Sequence, residues 1–288
     1  MTQFVIGIGS QRAGSTLLHK VLDQCSPVYM NPIKELHYFD TMFGIRNENV
    51  LRIFSRNQLE REIERIVKAN DYTFLNKRYK NSLRANFLLA TKKVEHFNYI
   101  ELFRPMANQH EMLGEITPEC MILPQEGIRK MREVVGESAK IILLARNPVK
   151  RFVSAFKLLI NGMPNSAQLV FEEEMLKMLD EGGEWMRVQD ALNDYQTALT
   201  NYKKEFPHVL MLSHDALFGS VEETAKNLSE FLGTEISLPI FQQLVGTKIN
   251  ALNETKDLSE STLATLENRY AENQNYLDQF FGHGLCIA

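Results

Sequence analysis

Three cysteines, Cys25, Cys120 and Cys286, are all that the 288 residues contain, an odd count with no paired spacing. That gives no disulfide framework and suits free thiols in a reducing compartment. The chain has no HxxxH, no CxxC and no carboxylate cluster at ligand spacing, so no metal is expected. It lacks any run of about 18 apolar residues, so no membrane span is expected. No basic stretch or cleavage site precedes the first apolar segment, which leaves no signal peptide and an expected cytoplasmic location. Excess positive charge is missing too. Lys and Arg number 32 against 36 Asp and Glu, a net charge of −4, which weighs against nucleic acid or a heavily sulfated polymer as partner. Repeats and low-complexity stretches are absent. The 44% hydrophobic and 24% charged content is that of an ordinary globular protein, and the length suits one α/β domain better than two.

What is present begins at once. The apolar run Phe4-Val5-Ile6-Gly7-Ile8-Gly9 leads into Ser10-Gln11-Arg12-Ala13-Gly14-Ser15-Thr16 and then into the helix start Leu17-Leu18. A strand, a glycine turn and a helix N-terminus together make an anion site, because backbone N–H groups point into the turn and the helix end is partly positive. The spacing is close to the nucleotide-triphosphate loop Gly-x4-Gly-Lys-Ser/Thr, except that Ser15 stands where the lysine would be. The cation inside the loop is Arg12.

A second element spans residues 139–156. Ile141 to Ala145 is a continuous apolar run, as expected of a central parallel strand covered on both faces. It ends at Arg146, and Pro148 suits the first turn of a helix. Arg151 and Ser154, three residues apart, share one face of that helix. Arg146 and Ser154 can converge on a second anion at the carboxyl edge of the sheet, where open α/β sheets bind ligands. Strands are predicted near 4–9, 112–116, 140–145 and 208–213, in a mostly parallel sheet flanked by helices.

The segments Gly9 to Thr16 and Arg146 to Ser154 resemble the two nucleotide signatures of sulfotransferases that use 3′-phosphoadenosine 5′-phosphosulfate (PAPS) and release 3′-phosphoadenosine 5′-phosphate (PAP). Lys34-Glu35-Leu36-His37-Tyr38-Phe39-Asp40 resembles the Glu-x-His-Phe-Phe segment of the heparan-sulfate and bacterial branch, and Glu115-Ile116-Thr117-Pro118 its Glu-Lys-Ser/Thr-Pro segment. Residues 206–233 resemble the late strand and helix of that branch, and 267–282 its C-terminal helix. The matching segments are scattered over nearly the whole chain. The resemblance implies a single sulfotransferase domain over 1–288. It implies that Gln11, Arg12, Ala13, Gly14, Ser15 and Thr16 hold the 5′-phosphosulfate, with Arg12 at the bridging oxygen. Arg146 and Ser154 would take the 3′-phosphate, Glu35 would be the general base, and no metal would take part. His37 stays open as an alternative base, as an orienting group for the acceptor, or as a structural histidine. Ile116 departs from the lysine of the polysaccharide enzymes, and the late loop offers Lys248 or Lys256 to the nucleotide without a choice between them.

Between these motifs, residues 46–111 are expected to be a helical acceptor-side insertion. Leu59, Ile63, Ile66 and Val67 fall on one face of an amphipathic scaffold helix. The basic residues from Lys77 to Arg84, with Lys92 and Lys93, read as a solvated face. A variable segment covers 161–185 and ends at Trp185, which reads as core at the start of a helix over 184–205, with a wall of the acceptor pocket as the other reading. Net charge and Ile116 favour a small-molecule, lipid or oligosaccharide acceptor. A P-loop kinase and a non-catalytic nucleotide-binding module are the competing functions.

Overall fold

The computed structural model describes residues 2–246, 258–282 and 286–287. Strand β1 (Gln3–Gly9) hands over through the glycine turn to helix α1 (Ser15–Cys25), which is followed by the short strand β2 (Tyr29–Met30) and helix α2 (Tyr38–Met42). A pair of helices, α3 (Glu48–Lys68) and α4 (Lys77–Thr91), leads to β3 (Met112–Ile116). Helix α5 (Gln125–Val135), strand β4 (Lys140–Ala145) and helix α6 (Pro148–Asn161) come next. Helices α7 (Phe171–Glu181), α8 (Glu184–Ala191) and α9 (Tyr195–Glu205) reach β5 (His208–Ser213). The chain continues with α10 (His214–Gly219), α11 (Val221–Leu232), α12 (Leu238–Gly246), α13 (Glu260–Arg269), α14 (Ala271–Phe281) and β6 (Cys286–Ile287).

The sheet order is β2-β3-β1-β4-β5-β6. The first five strands are parallel, and β6 pairs antiparallel with β5 at the edge. The four strands expected from the apolar runs form at their expected places; β2 and β6, each two residues long, carry no run of their own. Side-chain alternation explains why the central strands are apolar throughout. Phe4, Ile6 and Ile8 of β1 join Ile141 and Leu143 of β4 in one core, under α2, α4, α5 and α9. Val5, Ile142 and Leu144 point to the opposite core, under α1, α11 and α12. A third apolar cluster ties α6 to α7, α8 and α13, and Trp185 packs there on Phe152 and Phe156 at centroid distances of 5.7 and 6.0 Å, the core reading of that residue.

Three expectations are corrected. The predicted apolar face of α3 is not buried. Leu51 and Ser55 are, whereas Ile63 is 50% and Val67 76% exposed. The second half of the helix meets α4 with polar groups instead: the Tyr79 hydroxyl bonds Glu62, and Arg65 lies over the rings of Phe74 and Tyr79 at 5.0 and 5.6 Å. The helix predicted over 184–205 is two, broken between α8 and α9 where Asp194 caps α9 by accepting from the Thr197 N–H at 3.0 Å. The C-terminal helix of 267–282 likewise breaks at Tyr270, between α13 and α14.

The break between α8 and α9 serves Arg151. This side chain is neither a surface cation nor an anion ligand; it is fully buried. Its Nε donates to Asn193 Oδ1 at 2.5 Å, Nη1 to Gln189 Oε1 at 2.9 Å and Nη2 to the Gln189 carbonyl at 3.1 Å, while Asn193 Nδ2 donates to the Pro148 carbonyl at 3.2 Å. Arg151 thus bolts α6 to the α8–α9 corner. Arg151→Met fills much of the volume but leaves three buried acceptors without their donor, so it costs roughly 2–4 kcal/mol. Thermal denaturation checks this, with Tm expected to fall by about 5–10 °C. An unchanged Tm would show that the bolt contributes nothing.

Candidate active site

The glycine turn is pinned before any ligand enters. Ser10 N–H donates to the Leu144 carbonyl at 2.7 Å, and Ser10 Oγ to the Leu192 carbonyl at 2.7 Å. Gly14 has φ +100°, a conformation that L side chains rarely adopt, and a Cβ there would come within 3.0 Å of Leu217 and 3.1 Å of Phe218. No side chain caps α1 at Gly14, so its first N–H groups face the turn. Arg12, also in the left-handed region at φ 68°, donates from Nε to Ser154 Oγ at 2.9 Å. Arg146 Nη1 donates to the Arg12 carbonyl at 2.7 Å. The Arg146 backbone is fixed by Tyr195, whose hydroxyl accepts from its N–H at 3.3 Å and donates to its carbonyl at 3.2 Å. Arg146 and Ser154 thus both contact Arg12, one at its carbonyl and the other at its guanidinium, and Ser154 is fully buried. Beside them, at the carboxyl ends of β4 and β5, opens a cleft of about 440 Å³ lined by Arg146, Asn147, Lys150, Ser213 and His214 among others. Lys248 and Lys256 lie outside the described residues.

A strap between β2 and α2 carries the second half of the site. It runs beside β3 on hydrogen bonds: Asn31 N–H to the Gly114 carbonyl at 2.8 Å, Ile116 N–H to the Lys34 carbonyl at 3.2 Å, Leu36 N–H to Glu115 Oε2 at 3.4 Å and His37 N–H to Thr117 Oγ1 at 3.3 Å. Glu115 is itself buried and takes bonds from Thr117 Oγ1 at 2.6 Å and the Tyr99 hydroxyl at 3.2 Å; burial pushes its pKa up to about 7 despite the Thr117 bond. Alternation along an extended strap predicts Glu35 and His37 on one side. They are together, but through a turn, because His37 sits in the left-handed region at φ 50° as the residue preceding α2.

His37 is clamped between carboxylates. Nδ1 lies 2.7 Å from Asp40 Oδ2 and 3.9 Å from Glu119 Oε2, and Nε2 lies 3.5 Å from Glu35 Oε2. Burial lowers its pKa, but the bonds to Asp40 and Glu35 outweigh that and raise it to about 9. Glu35 is its converse. Burial raises its pKa, and the bonds from His37 and Lys34 overcome this and hold it at about 2. Glu119 is pushed up by burial and is tied to the glycine turn by Gln11 Nε2, 3.4 Å from Glu119 Oε1. Lys34 Nζ joins the two halves directly, bonding Glu35 Oε1 and reaching Ser15 Oγ at 3.5 Å.

Glu35, His37 and Glu119 bring ligand-type atoms within 4.8 Å of one another, so the expectation of no such cluster is corrected: the fold adds the distant Glu119 to a pair two positions apart. Both ring nitrogens of His37 face carboxylates, an arrangement that favours the protonated imidazolium and lets charge be shared along the cluster. Glu119 has no sequence signal; the turn at Pro118–Ile122 delivers it. Asp40 does have one, the spacing of three from His37 at a helix start.

A family model described as the sulfotransferase family matches residues 4–237. No curated protein sequence matches the chain. Among solved structures, the sulfotransferase from Alicyclobacillus acidocaldarius is similar over 99% of this chain and 97% of its own, with a TM-score of 0.58 and 17% identity. The sulfotransferase domain of the curacin biosynthetic pathway aligns over 97% of this chain and 98% of its own, with a TM-score of 0.54 and 14% identity. The sulfotransferase domain of the Synechococcus PCC 7002 olefin synthase aligns over 99% and 96%, with a TM-score of 0.51 and 16% identity. At these identities the likeness is one of fold. Among the described residues no helix is long and apolar enough to cross a membrane.

The clamp makes stability depend on pH in a definite sense. Because the folded pKa of His37 lies above its ordinary value of about 6.5, the stabilisation from its charged form is complete below that value and is lost as pH rises through about 9. Asp40→Asn therefore destabilises most near pH 6, on the order of 2 kcal/mol, and the gap to the parent protein narrows towards about pH 10. Paired thermal melts across that range check it; a gap that does not change with pH would rule out the charged clamp.

Proposed function

The chain belongs to the sulfotransferase family, and from that premise we propose that it moves the sulfuryl group of PAPS to a hydroxyl or amine of a small-molecule, lipid or oligosaccharide acceptor. The observation that carries this reading is the continuity of the site. Arg12, Arg146 and Ser154 gather at the glycine turn, and one side chain, Lys34, spans from that turn to Glu35.

The chemistry follows from the charges. The acceptor oxygen or nitrogen attacks sulfur as the bond from sulfur to the phosphate oxygen breaks, and the electron pair leaves on that oxygen. Glu35 takes the proton that the acceptor loses. The alternative base, His37, is less well supported, because an imidazole with a pKa raised to about 9 is protonated at neutral pH and has no lone pair to accept with. Its role is to orient Glu35, with Asp40 holding the ring from behind. Arg12, the loop N–H groups and the N-terminus of α1 face the place where negative charge grows, and fixed donors there stabilise the transition state more than the ground state. Arg146 and Ser154 would bind the 3′-phosphate of the donor, Ser154 while supporting Arg12 from below. The weak net charge and the buried side chain of Ile116 favour an acceptor without dense negative charge. A kinase is less well supported, since Ser15 replaces the phosphate-loop lysine and β4 leads into Arg146 rather than a metal-binding aspartate.

Calorimetric titration with PAP, with 5′-AMP and with ATP plus magnesium tests the donor assignment. Binding that depends on the 3′-phosphate, and that Arg146→Ala weakens, is the expected result; preference for ATP with magnesium would favour the kinase. Glu35→Gln is expected to leave PAP binding intact and lower sulfuryl transfer from PAPS by about 10²–10⁴-fold. Near-normal turnover in that variant would remove Glu35 as the base.

A further inference from the structure

The loop lacks its lysine, yet an ammonium stands at the loop. Position 15 is serine, and the Nζ of Lys34 lies 3.5 Å from its hydroxyl. The other position from which the family resemblance expects a cation is also empty of charge, because Ile116 packs into the core against Gly7, where a Cβ would meet its side chain at 2.7 Å. Lys34 is tied by its backbone to that same residue, its carbonyl accepting the Ile116 N–H at 3.2 Å. The stem of the strap is fixed as well. Asn31 Nδ2 donates to the Leu102 carbonyl at 2.9 Å, and Asn31 Oδ1 accepts the Ile33 N–H at 3.0 Å. The ammonium is thus presented from a fixed backbone on a side chain that is 29% exposed, and it contacts both Ser15 and Glu35.

Its present partner raises a difficulty for the chemistry. Glu35 carries two cationic neighbours, Lys34 and His37, and a carboxylate held near a pKa of about 2 is a weak proton acceptor. A base of useful strength needs one of those neighbours to be drawn away. His37 is held by Asp40 at 2.7 Å and is buried, whereas Lys34 is half-buried and its second contact, Ser15, lies on the donor side.

We propose that Lys34 is the cation that contacts the sulfuryl group being transferred, and that donor binding draws it off Glu35, so that the base becomes competent only when the donor is in place. The inference rests on the sulfotransferase reading above. In the step itself, the new bond forms between the acceptor atom and sulfur, the bond from sulfur to the phosphate oxygen breaks with its electron pair passing to that oxygen, and the acceptor proton goes to Glu35. Lys34 keeps its protons throughout and offsets charge on the sulfuryl oxygens.

PAPS and PAP differ only in that sulfuryl group, so comparing their affinities isolates the contact without knowledge of the acceptor. The experiment is calorimetric titration of each into the parent protein, Lys34→Met and Lys34→Arg, with no acceptor present. Loss of one charge-assisted contact predicts that Lys34→Met weakens PAPS by about 10- to 100-fold and leaves PAP within about twofold. Lys34→Arg should recover most of the loss. Retained PAP affinity also certifies that the variant is folded. Equal weakening of both nucleotides, or of neither, would overturn the assignment while the sulfotransferase reading stands. Failure of the parent protein to bind either nucleotide would bring down that reading and this inference with it.

Discussion

The site depends on how the strap between β2 and α2 is hung on β3. Its backbone has no continuous strand partner, so each polar group needs an individual acceptor or donor. Asn31 and Lys34 take them from the β3 backbone, while Leu36 and His37 use the side chains of Glu115 and Thr117. That pattern turns alternation along β3 to account. Glu115 and Thr117 face the strap side as polar anchors, and Ile116 between them joins the opposite core. A carboxylate in that position is costly to bury, and the bonds from Thr117, Tyr99 and Leu36 are what make it tolerable. These anchors hold the strap that brings Lys34 and Glu35 to the glycine turn.

From that suspension the electrostatics follow. One imidazolium lies among three carboxylates, and one ammonium links the outermost of them to the loop. The groups perturb one another in opposite senses, and such pairs of shifted acids and bases are where proton chemistry is organised. Burial alone would neutralise Glu35 and His37; their mutual pairing keeps both charged. The glycine-turn side, by contrast, is built from the guanidinium groups of Arg12 and Arg146 together with backbone N–H groups.

Much of this was legible from the chain because it is local. Continuous apolar runs mark strands buried on both faces, and the glycines between such a run and a helix start mark the turn that joins them. Arg146, at the end of such a run, could be placed for the same reason. The rest depends on long-range packing. Glu119 reaches His37 only because a single helical turn follows Pro118, and nothing in its own neighbours signals that. Leu59, Ile63, Ile66 and Val67 carry the periodicity of a packed face, but the Glu62–Tyr79 bond and the stacking of Arg65 on Phe74 and Tyr79 turn the polar side of α3 to α4. The spacing of Arg151 and Ser154 puts them on one face of α6, but nothing local signals that Arg151 is buried; three acceptors from the α8–α9 corner hold it inside.

The glycine turn and the β4–α6 segment are not independent modules. Arg146 grips the carbonyl of Arg12 while Ser154 receives its guanidinium, so the conformation of the first loop is written partly by residues more than a hundred positions later. A change at either segment is therefore felt as a change of shape at the other. Relatives that diverge in donor usage should show the two segments drifting as a pair, and a redesign that edits one loop alone inherits a partner still moulded to the old one.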